Sequence, residues 1–197
     1  GVFSLEAPNF LRLLQNVEYD TIYNEHISYL AIKPLARFFH RVGMEVFDVE
    51  ERPIHGGSIR VYVQMPQGRR QVNAIVSRLI REEERHGAFN LNKLRKFAGA
   101  VRHNSGELRT LLQRLKRQGS TIAGVSAPAK GMTLLNYCRL GPELLEFISE
   151  KSTLKIGRFT PGLHIPVVSD EELLKRRPDY ALILAWNFAP EIMSNLG

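Results

Sequence analysis

The chain has 197 residues, a formal net charge of +7 and a single cysteine, Cys138. This length allows one full-sized domain or a smaller domain with part of another, and 44% hydrophobic with 24% charged residues is an ordinary globular composition. The counts exclude an intramolecular disulfide and a cysteine-rich zinc site, and no apolar run approaches the roughly 18 residues of a membrane span. One thiol is typical of a reducing compartment, so we expect a cytoplasmic protein.

The positive charge is concentrated in residues 69–85 and 93–117. Both segments carry an apolar stripe at helical spacing, so their basic side chains fall on the outer face of a helix. Aromatic residues that could stack on bases do not alternate with them, which favours solvated helix faces over a nucleic-acid surface. The same field would attract a small anion such as a sugar nucleotide.

Residues 1–66 read as short strands around one helix. The helix is predicted at residues 34–42, where Gly43 can end it as a C-cap. Strand patterns occupy residues 1–6, 44–49 and 58–63. Pro66-Gln67-Gly68 then indicates a boundary between two regions.

Residues 67–197 read as alternating helices and strands. Helical spacing predicts helices at residues 72–80, 91–115, 128–138, 171–176 and 190–196. Strand patterns lie at residues 121–125, 147–149 and 180–185. Strands separated by helices imply an α/β fold with a parallel sheet.

The densest polar cluster is Tyr23-Asn24-Glu25-His26. Histidine is the natural general base near neutral pH, a neighbouring carboxylate can orient its imidazole, and tyrosine can donate a hydrogen bond to a developing oxyanion. This set suits the removal of a proton beside a carbonyl. An ordinary polar loop contains the same residue types, and the four residues alone leave both interpretations open.

Two glycine-containing segments could bring backbone N–H groups close to a ligand. In His55-Gly56-Gly57-Ser58-Ile59-Arg60 the alternative is a tight connection between antiparallel strands. Gly124-Val125-Ser126-Ala127-Pro128-Ala129-Lys130-Gly131 follows a strand and opens a helix, the position where phosphates are held, but it matches neither a Walker loop nor the dinucleotide fingerprint. Lys130 opposes the helix dipole there, so an anion would relieve the conflict; a solvent-facing lysine is the alternative.

The carboxyl edge of the predicted parallel sheet would bring further side chains to the same place. Trp186-Asn187 follows the strand at 180–185 and would share this edge with residues 126–130, although Asn187 could equally cap the last helix. In the long segment 157–166, Arg158 could contact phosphate and His164 a polar ligand, or both could hold the loop in place. No His, Asp or Glu spacing indicates a metal site, and Cys138 lies in a helical pattern typical of burial.

Six stretches, in order and in register, together resemble one known family. They are Tyr19-Asp20-Thr21-Ile22-Tyr23-Asn24-Glu25-His26; Phe47-Asp48-Val49-Glu50; His55-Gly56-Gly57-Ser58-Ile59-Arg60; Ala127-Pro128-Ala129-Lys130-Gly131; Gly157-Arg158-Phe159 with His164-Ile165-Pro166; and Arg177-Pro178-Asp179-Tyr180 with Ala185-Trp186-Asn187-Phe188. The chain resembles the S-adenosylmethionine-dependent sugar C-methyltransferases that act on nucleotide-linked 4-keto deoxysugars. The resemblance extends over nearly the whole chain.

The resemblance implies a domain organisation. Members of this family have an N-terminal zinc-binding domain, a middle S-adenosylmethionine domain and a C-terminal α/β domain. Residues 1–66 would be the last strands and helix of the class I methyltransferase domain, and residues 67–197 the Rossmann-like C-terminal domain, a parallel sheet flanked by helices. The zinc cysteines and the glycine-rich donor loop would lie upstream, so we expect no metal here and no activity of this part alone.

The resemblance also implies chemistry. A base removes the proton next to the C4 ketone, and the enolate attacks the methyl group of the donor; His26 would be the base, with Tyr23 and Glu25 beside the sugar. Asn24 stands where the family usually has histidine, and Ser126 where it usually has glycine. The expected substrate contacts are His55, Ser58, Arg60, Lys130, Arg158 and Asn187. The expected partner is a nucleotide-diphosphate sugar rather than nucleic acid or membrane; the alternative is a non-catalytic Rossmann-like module that binds a nucleotide sugar.

Overall fold

The computed structural model describes residues 1–54 and 56–196. They form two compact units. The first unit is Gly1–Glu18 with His26–Ala100, and the second unit is Tyr19–Glu25 with the residues from Val101 onward. No helix among the described residues combines the length and apolar character needed to cross a membrane.

The first unit is built on an antiparallel sheet in the order β1-β3-β2. Its strands are β1 (Val2–Pro8), β2 (Glu45–Arg52) and β3 (Ser58–Gln64), and its helices are α1 (Phe10–Asn16), α2 (Ile32–Arg41) and α3 (Ala74–Arg85). Ile59, Val61 and Val63 alternate along the central strand β3 and are fully buried. Side chains of α2 and α3 pack against this face, among them Phe39 and Leu79. The apolar periodicities of strand and helix therefore meet in one core.

A buried glutamate caps helix α2 from the neighbouring helix. Ala31 precedes the helix and has no side-chain acceptor, so Glu83 of α3 accepts from the N–H groups of Ile32 at 2.5 Å and Lys33 at 2.9 Å. Burial raises the pKa of Glu83, and its effect exceeds that of the two N–H bonds, which act in the opposite direction. The start of α2 thus depends on a residue 51 positions later.

The second unit is built on a parallel sheet in the order β6-β5-β4-β7. Its strands are β4 (Ile122–Val125), β5 (Ile148–Glu150), β6 (Val167–Ser169) and β7 (Tyr180–Ile183). The helices of this region are α5 (Ala129–Cys138), α6 (Asp170–Arg176) and α7 (Ala189–Leu196), while the long helix α4 (Leu91–Arg117) begins in the first unit and ends in the second. Counted in chain order within this sheet, the strands run 3-2-1-4, as do the first four strands of a doubly wound nucleotide-binding fold. The predicted Rossmann-like parallel sheet is confirmed.

Two elements differ from the sequence prediction. Helix α1 and strand β6, with seven and three residues, lie in stretches that the sequence analysis left unassigned. The first compact unit also extends to Ala100, since α3 packs on the antiparallel sheet. The assignment of residues 1–66 and 67–197 to two family domains remains a prediction.

Candidate functional site

Tyr23 and Asn24 lie in a cleft of the second unit beside helix α5. The cleft has a volume of about 550 Å³ and is lined by these two residues together with Met132, Thr133 and Asn136. Asn136 donates from Nδ2 to the carbonyls of Met132 at 2.8 Å and Pro161 at 3.1 Å and so links α5 to the loop that contains Pro161. The cleft is shallow and open to solvent, and its mainly apolar lining carries hydroxyl and amide groups at Tyr23, Thr133 and Asn136.

The turn ahead of Tyr23 is held by buried contacts. The 3₁₀ turn Tyr19–Thr21 is buried throughout, and the Tyr19 hydroxyl hydrogen-bonds to Asn104 Oδ1 at 3.0 Å and lies 3.4 Å from Cys138 Sγ. Burial, and then the contact with Cys138, raises the pKa of Tyr19 well above its ordinary value. Tyr19 is therefore a neutral structural anchor, and Cys138 is buried as predicted.

In the polar cluster Tyr23-Asn24-Glu25-His26, the side chain of His26 is half-buried, while that of Glu25 is exposed. Tyr23 and Glu25 belong to the second unit, whereas His26 begins the return of the chain to the first. The roles of Tyr23, Glu25 and His26 toward a substrate therefore remain predictions.

Lys130 and Asn187 meet at the carboxyl edge of the parallel sheet. Lys130 Nζ donates to Asn187 Oδ1, and the ammonium lies 4.4 Å from the ring centroid of Trp186. Trp186 in turn donates from Nε1 to Asp20 Oδ2 at 2.7 Å. The predicted meeting of residues 126–130 with Trp186-Asn187 is confirmed, and Lys130 already has partners inside the protein.

The β4–α5 turn holds a carboxylate of the protein at the position where the sequence suggested a phosphate. Glu150, at the end of the neighbouring strand β5, accepts from the Ala127 N–H at 2.9 Å and from Lys155 Nζ at 3.2 Å. Its second oxygen accepts from the N–H groups of Lys151 at 2.9 Å and Ser152 at 3.1 Å. Burial alone would raise the pKa of Glu150, but these hydrogen bonds outweigh it and the pKa is lowered.

The same edge of the sheet carries a second cavity, of about 340 Å³. Val125, Ala185, Phe188 and Ile192 give it apolar walls. Its polar and charged lining residues are Ser126, Glu150, Lys151, Asp170, Glu191 and Asn195. Because three acidic residues stand against one lysine, the net charge of this lining is unfavourable for the diphosphate of a nucleotide.

The glycine segment of the first unit turns out to be a closed hairpin connection. Gly56 and Gly57 have φ values of +90° and +131°, and a Cβ at Gly56 would lie 2.6 Å from Glu18 Oε1. Ser58 is buried and its hydroxyl donates to the carbonyl of Ile54 at 3.2 Å. These glycines are therefore required by the hairpin itself, the alternative that the sequence left open. His55 lies outside the described residues.

Arg60 and Arg158 lie on different units. Arg60, on β3, forms an ion pair with Glu6 at 2.7 Å. Arg158 is exposed at the start of the segment 157–166, which is closed by a bridge between Phe159 and Pro166. In the same segment His164 is exposed at a φ of +54°. The structure thus brings together Lys130 with Asn187 and Tyr23 with the α5 surface.

Two residues that shape this region were missed by the sequence analysis. Glu150 had a weak signal, since a carboxylate often follows the second strand of a nucleotide-binding fold. Nothing in the sequence pointed to Asp20, because its partner Trp186 is 166 positions away. Within residues 1–54 and 56–196 no cluster of three or more His, Cys, Asp or Glu could hold a metal ion.

Comparison with known proteins places the chain in a family. Residues 53–197 match the family described as C-methyltransferase C-terminal domain. C-methyltransferase NovU of Streptomyces niveus is 37% identical over 195 residues, which cover 99% of this chain and 46% of that protein. The chain thus spans about half the length of this curated relative. By both comparisons it belongs to the C-methyltransferase family, and most of its length forms that family's C-terminal domain.

Proposed function

We propose that the chain is the C-terminal part of an S-adenosylmethionine-dependent enzyme that methylates a carbon next to the ketone of a nucleotide-linked 4-keto deoxysugar. The main support is the similarity to a C-methyltransferase over 195 residues, which includes the polar cluster Tyr23-Asn24-Glu25-His26. Forming a C–C bond beside a ketone requires removal of a carbon-bound proton, and this cluster holds a suitable base. As nucleotide sugars are cytoplasmic intermediates, a cytoplasmic location forms part of the proposal.

His26 takes the proton in the proposed mechanism. The imidazole removes it from the carbon next to the ketone, and the electron pair moves to the ketone oxygen to give an enolate. Tyr23 donates a hydrogen bond to that oxygen, and Glu25 lies beside the sugar. The new bond then forms between this carbon and the methyl group of the donor, whose S–CH₃ bond would break with its electron pair remaining on sulfur, and His26 returns its proton to solvent.

The methyl donor is S-adenosylmethionine, which supplies an electrophilic methyl group. The β4–α5 turn of this chain does not match the dinucleotide fingerprint, and its Ala127 N–H already donates to Glu150 at 2.9 Å. For this reason we place the donor in the part of the full-length enzyme outside this chain.

The diphosphate contacts are the least constrained part of the proposal. Arg158 is exposed and available, whereas Arg60 would have to exchange its ion pair with Glu6 for a phosphate. Lys130 would likewise have to leave Asn187 and the Trp186 ring. His55, Ser58 and Asn187 remain proposed contacts.

The test is made in the full-length enzyme with His26→Ala, and His103→Ala serves as the control because His103 is an exposed histidine paired with Glu107. In D₂O without donor, the wild type and the control should exchange the proton next to the ketone of the sugar nucleotide. His26→Ala should lose both exchange and methyl transfer by about 10²–10⁴-fold while it still binds the donor. Transfer at the wild-type rate would refute the base, and substrate binding without exchange in the wild type would favour the non-catalytic module.

A further inference from the structure

The turn ahead of Tyr23 has a second anchor besides the hydroxyl of Tyr19. The carboxylate of Asp20 is 4% exposed and accepts the hydrogen bond from Trp186 Nε1 at 2.7 Å. A carboxylate so buried needs such a donor, because it has lost most of its contact with water. The position of Asp20 is therefore coupled to that of the indole ring.

Lys130 fixes the other member of this pair. Its ammonium lies 4.4 Å from the centroid of the Trp186 ring and donates to the side chain of Asn187, the next residue along the chain. A cation over an indole is attracted by the ring quadrupole, and the attraction grows when the site is partly shielded from water. Lys130 thus holds the ring through one contact and the adjacent residue through another.

Two backbone hydrogen bonds close the short segment between Tyr19 and Tyr23, which contains Asp20. The N–H of Ile22 bonds to the carbonyl of Tyr19 at 3.1 Å, and the N–H of Tyr23 bonds to that of Thr21 at 3.2 Å. Because these two turns span only five residues, a displacement of Asp20 should also displace Tyr23. If the Trp186 ring were free to move, Asp20 would move with it and the position of Tyr23 at the edge of the cleft would change.

We propose that Asp20, Trp186 and Lys130 form a positioning cluster that fixes Tyr23 in the cleft beside α5. Lys130 then acts inside the protein and not as a ligand of a substrate phosphate. The existence of the cluster is independent of any reaction, while its effect on catalysis rests on the function proposed above.

The cluster is tested first by ¹⁹F NMR of the full-length protein labelled with 5-fluorotryptophan. The Trp186 resonance is assigned by its loss in Trp186→Phe. Asp20→Asn and Lys130→Met should each shift this resonance, and the control Lys116→Met, which removes an ion pair with Glu146 (3.0 Å) elsewhere in the second unit, should not. A resonance that Lys130→Met leaves in place overturns the cluster, whatever the activity.

Kinetics then test its role. Trp186→Phe and Lys130→Met should each lower kcat for methyl transfer about tenfold with little change in the KM of the donor. The double variant should be no worse than the poorer single variant, because both act through one cluster. Asp20→Asn keeps an oxygen acceptor for Trp186 and should retain more activity than Asp20→Ala.

Another pattern would refute this role. If Lys130→Met raises the KM of the sugar nucleotide while Trp186→Phe leaves every constant unchanged, Lys130 is a phosphate ligand. Lack of methyl transfer by the wild type would instead contradict the proposed function, and the NMR result would still decide the cluster. Thermal unfolding of each variant checks that the protein remains folded.

Discussion

Replacing Glu150 by glutamine should destabilise the second unit. The glutamate oxygens together accept from the N–H groups of Ala127, Lys151 and Ser152 and from Lys155 Nζ. Glutamine keeps one acceptor oxygen, but its amide nitrogen carries N–H groups. These would face N–H donors of the protein, and two donors cannot form a hydrogen bond. Each oxygen accepts two of these bonds, so the amide nitrogen removes two; at about 1.5–3 kcal/mol each for hydrogen bonds to a charged group, their loss should cost about 3–6 kcal/mol. In a protein of this size, each kcal/mol of lost stability lowers Tm by about 2–4 °C.

The assay combines thermal unfolding with hydrogen exchange of the Ala127 and Ser152 amides, which should exchange faster in Glu150→Gln. Because the pKa of Glu150 in the folded protein lies below its ordinary value of 4.5, the stabilisation is present above that value and is lost as pH falls through the folded pKa. The difference in the free energy of unfolding between wild type and Glu150→Gln should therefore become smaller below about pH 4.5. Glu172→Gln, at an exposed ion pair with Arg176, is the control. Equal stability of wild type and Glu150→Gln at pH 7, or an undiminished gap at pH 3, would refute the reasoning.

Two further predictions concern the first unit. Glu83→Ala should lower the stability of the first unit by about 1–3 kcal/mol in chemical unfolding, because two N–H groups at the start of α2 lose their acceptor. Glu84→Ala, at an exposed position, is the control. A loss in Glu83→Ala no larger than in this control would contradict the capping role of Glu83. Gly56→Ala should cost about 1–3 kcal/mol and more than Gly43→Ala, because both positions have positive φ but only at Gly56 does the added Cβ meet Glu18. Equal losses in thermal unfolding would mean that Glu18 moves aside freely.

The elements that were predicted correctly are those in which burial follows a regular spacing. Ile59 and Val61 show this along β3, where every second side chain is fully buried. Strand β6 was not predicted because it directly follows the segment 157–166, which reads as a loop with two prolines, although its pairing with β5 is clear in the structure. The antiparallel pairing of β2 with β3 is the alternative that the sequence left open at the glycine segment, and the parallel sheet followed from the alternation of strands and helices in the later part of the chain.

The candidate site was predictable only where topology brings chain segments together. Parallel strands end at one edge, so the approach of Lys130 to Asn187 followed from the element pattern alone. The choice of partner did not follow, because a lysine can bind a ring, an amide or a phosphate equally well on sequence grounds. Glu150 reaches Ala127 from 23 positions away, and only the folded backbone shows that this carboxylate occupies the turn.

Residues Tyr19–Glu25 belong to the second unit, although the residues on both sides of them in the chain belong to the first. Cleaving the chain at a single position therefore cannot separate the two units. A piece beginning at Val101 would leave Trp186 Nε1 and Asn104 without Asp20 and Tyr19, their partners in the intact chain. Contacts spanning 166 positions also form late and slowly during folding, since a long loop must close first. Domain dissection, limited proteolysis and fusion designs should therefore keep this short segment attached, and the candidate acid–base residues should be among the last parts of the chain to become ordered.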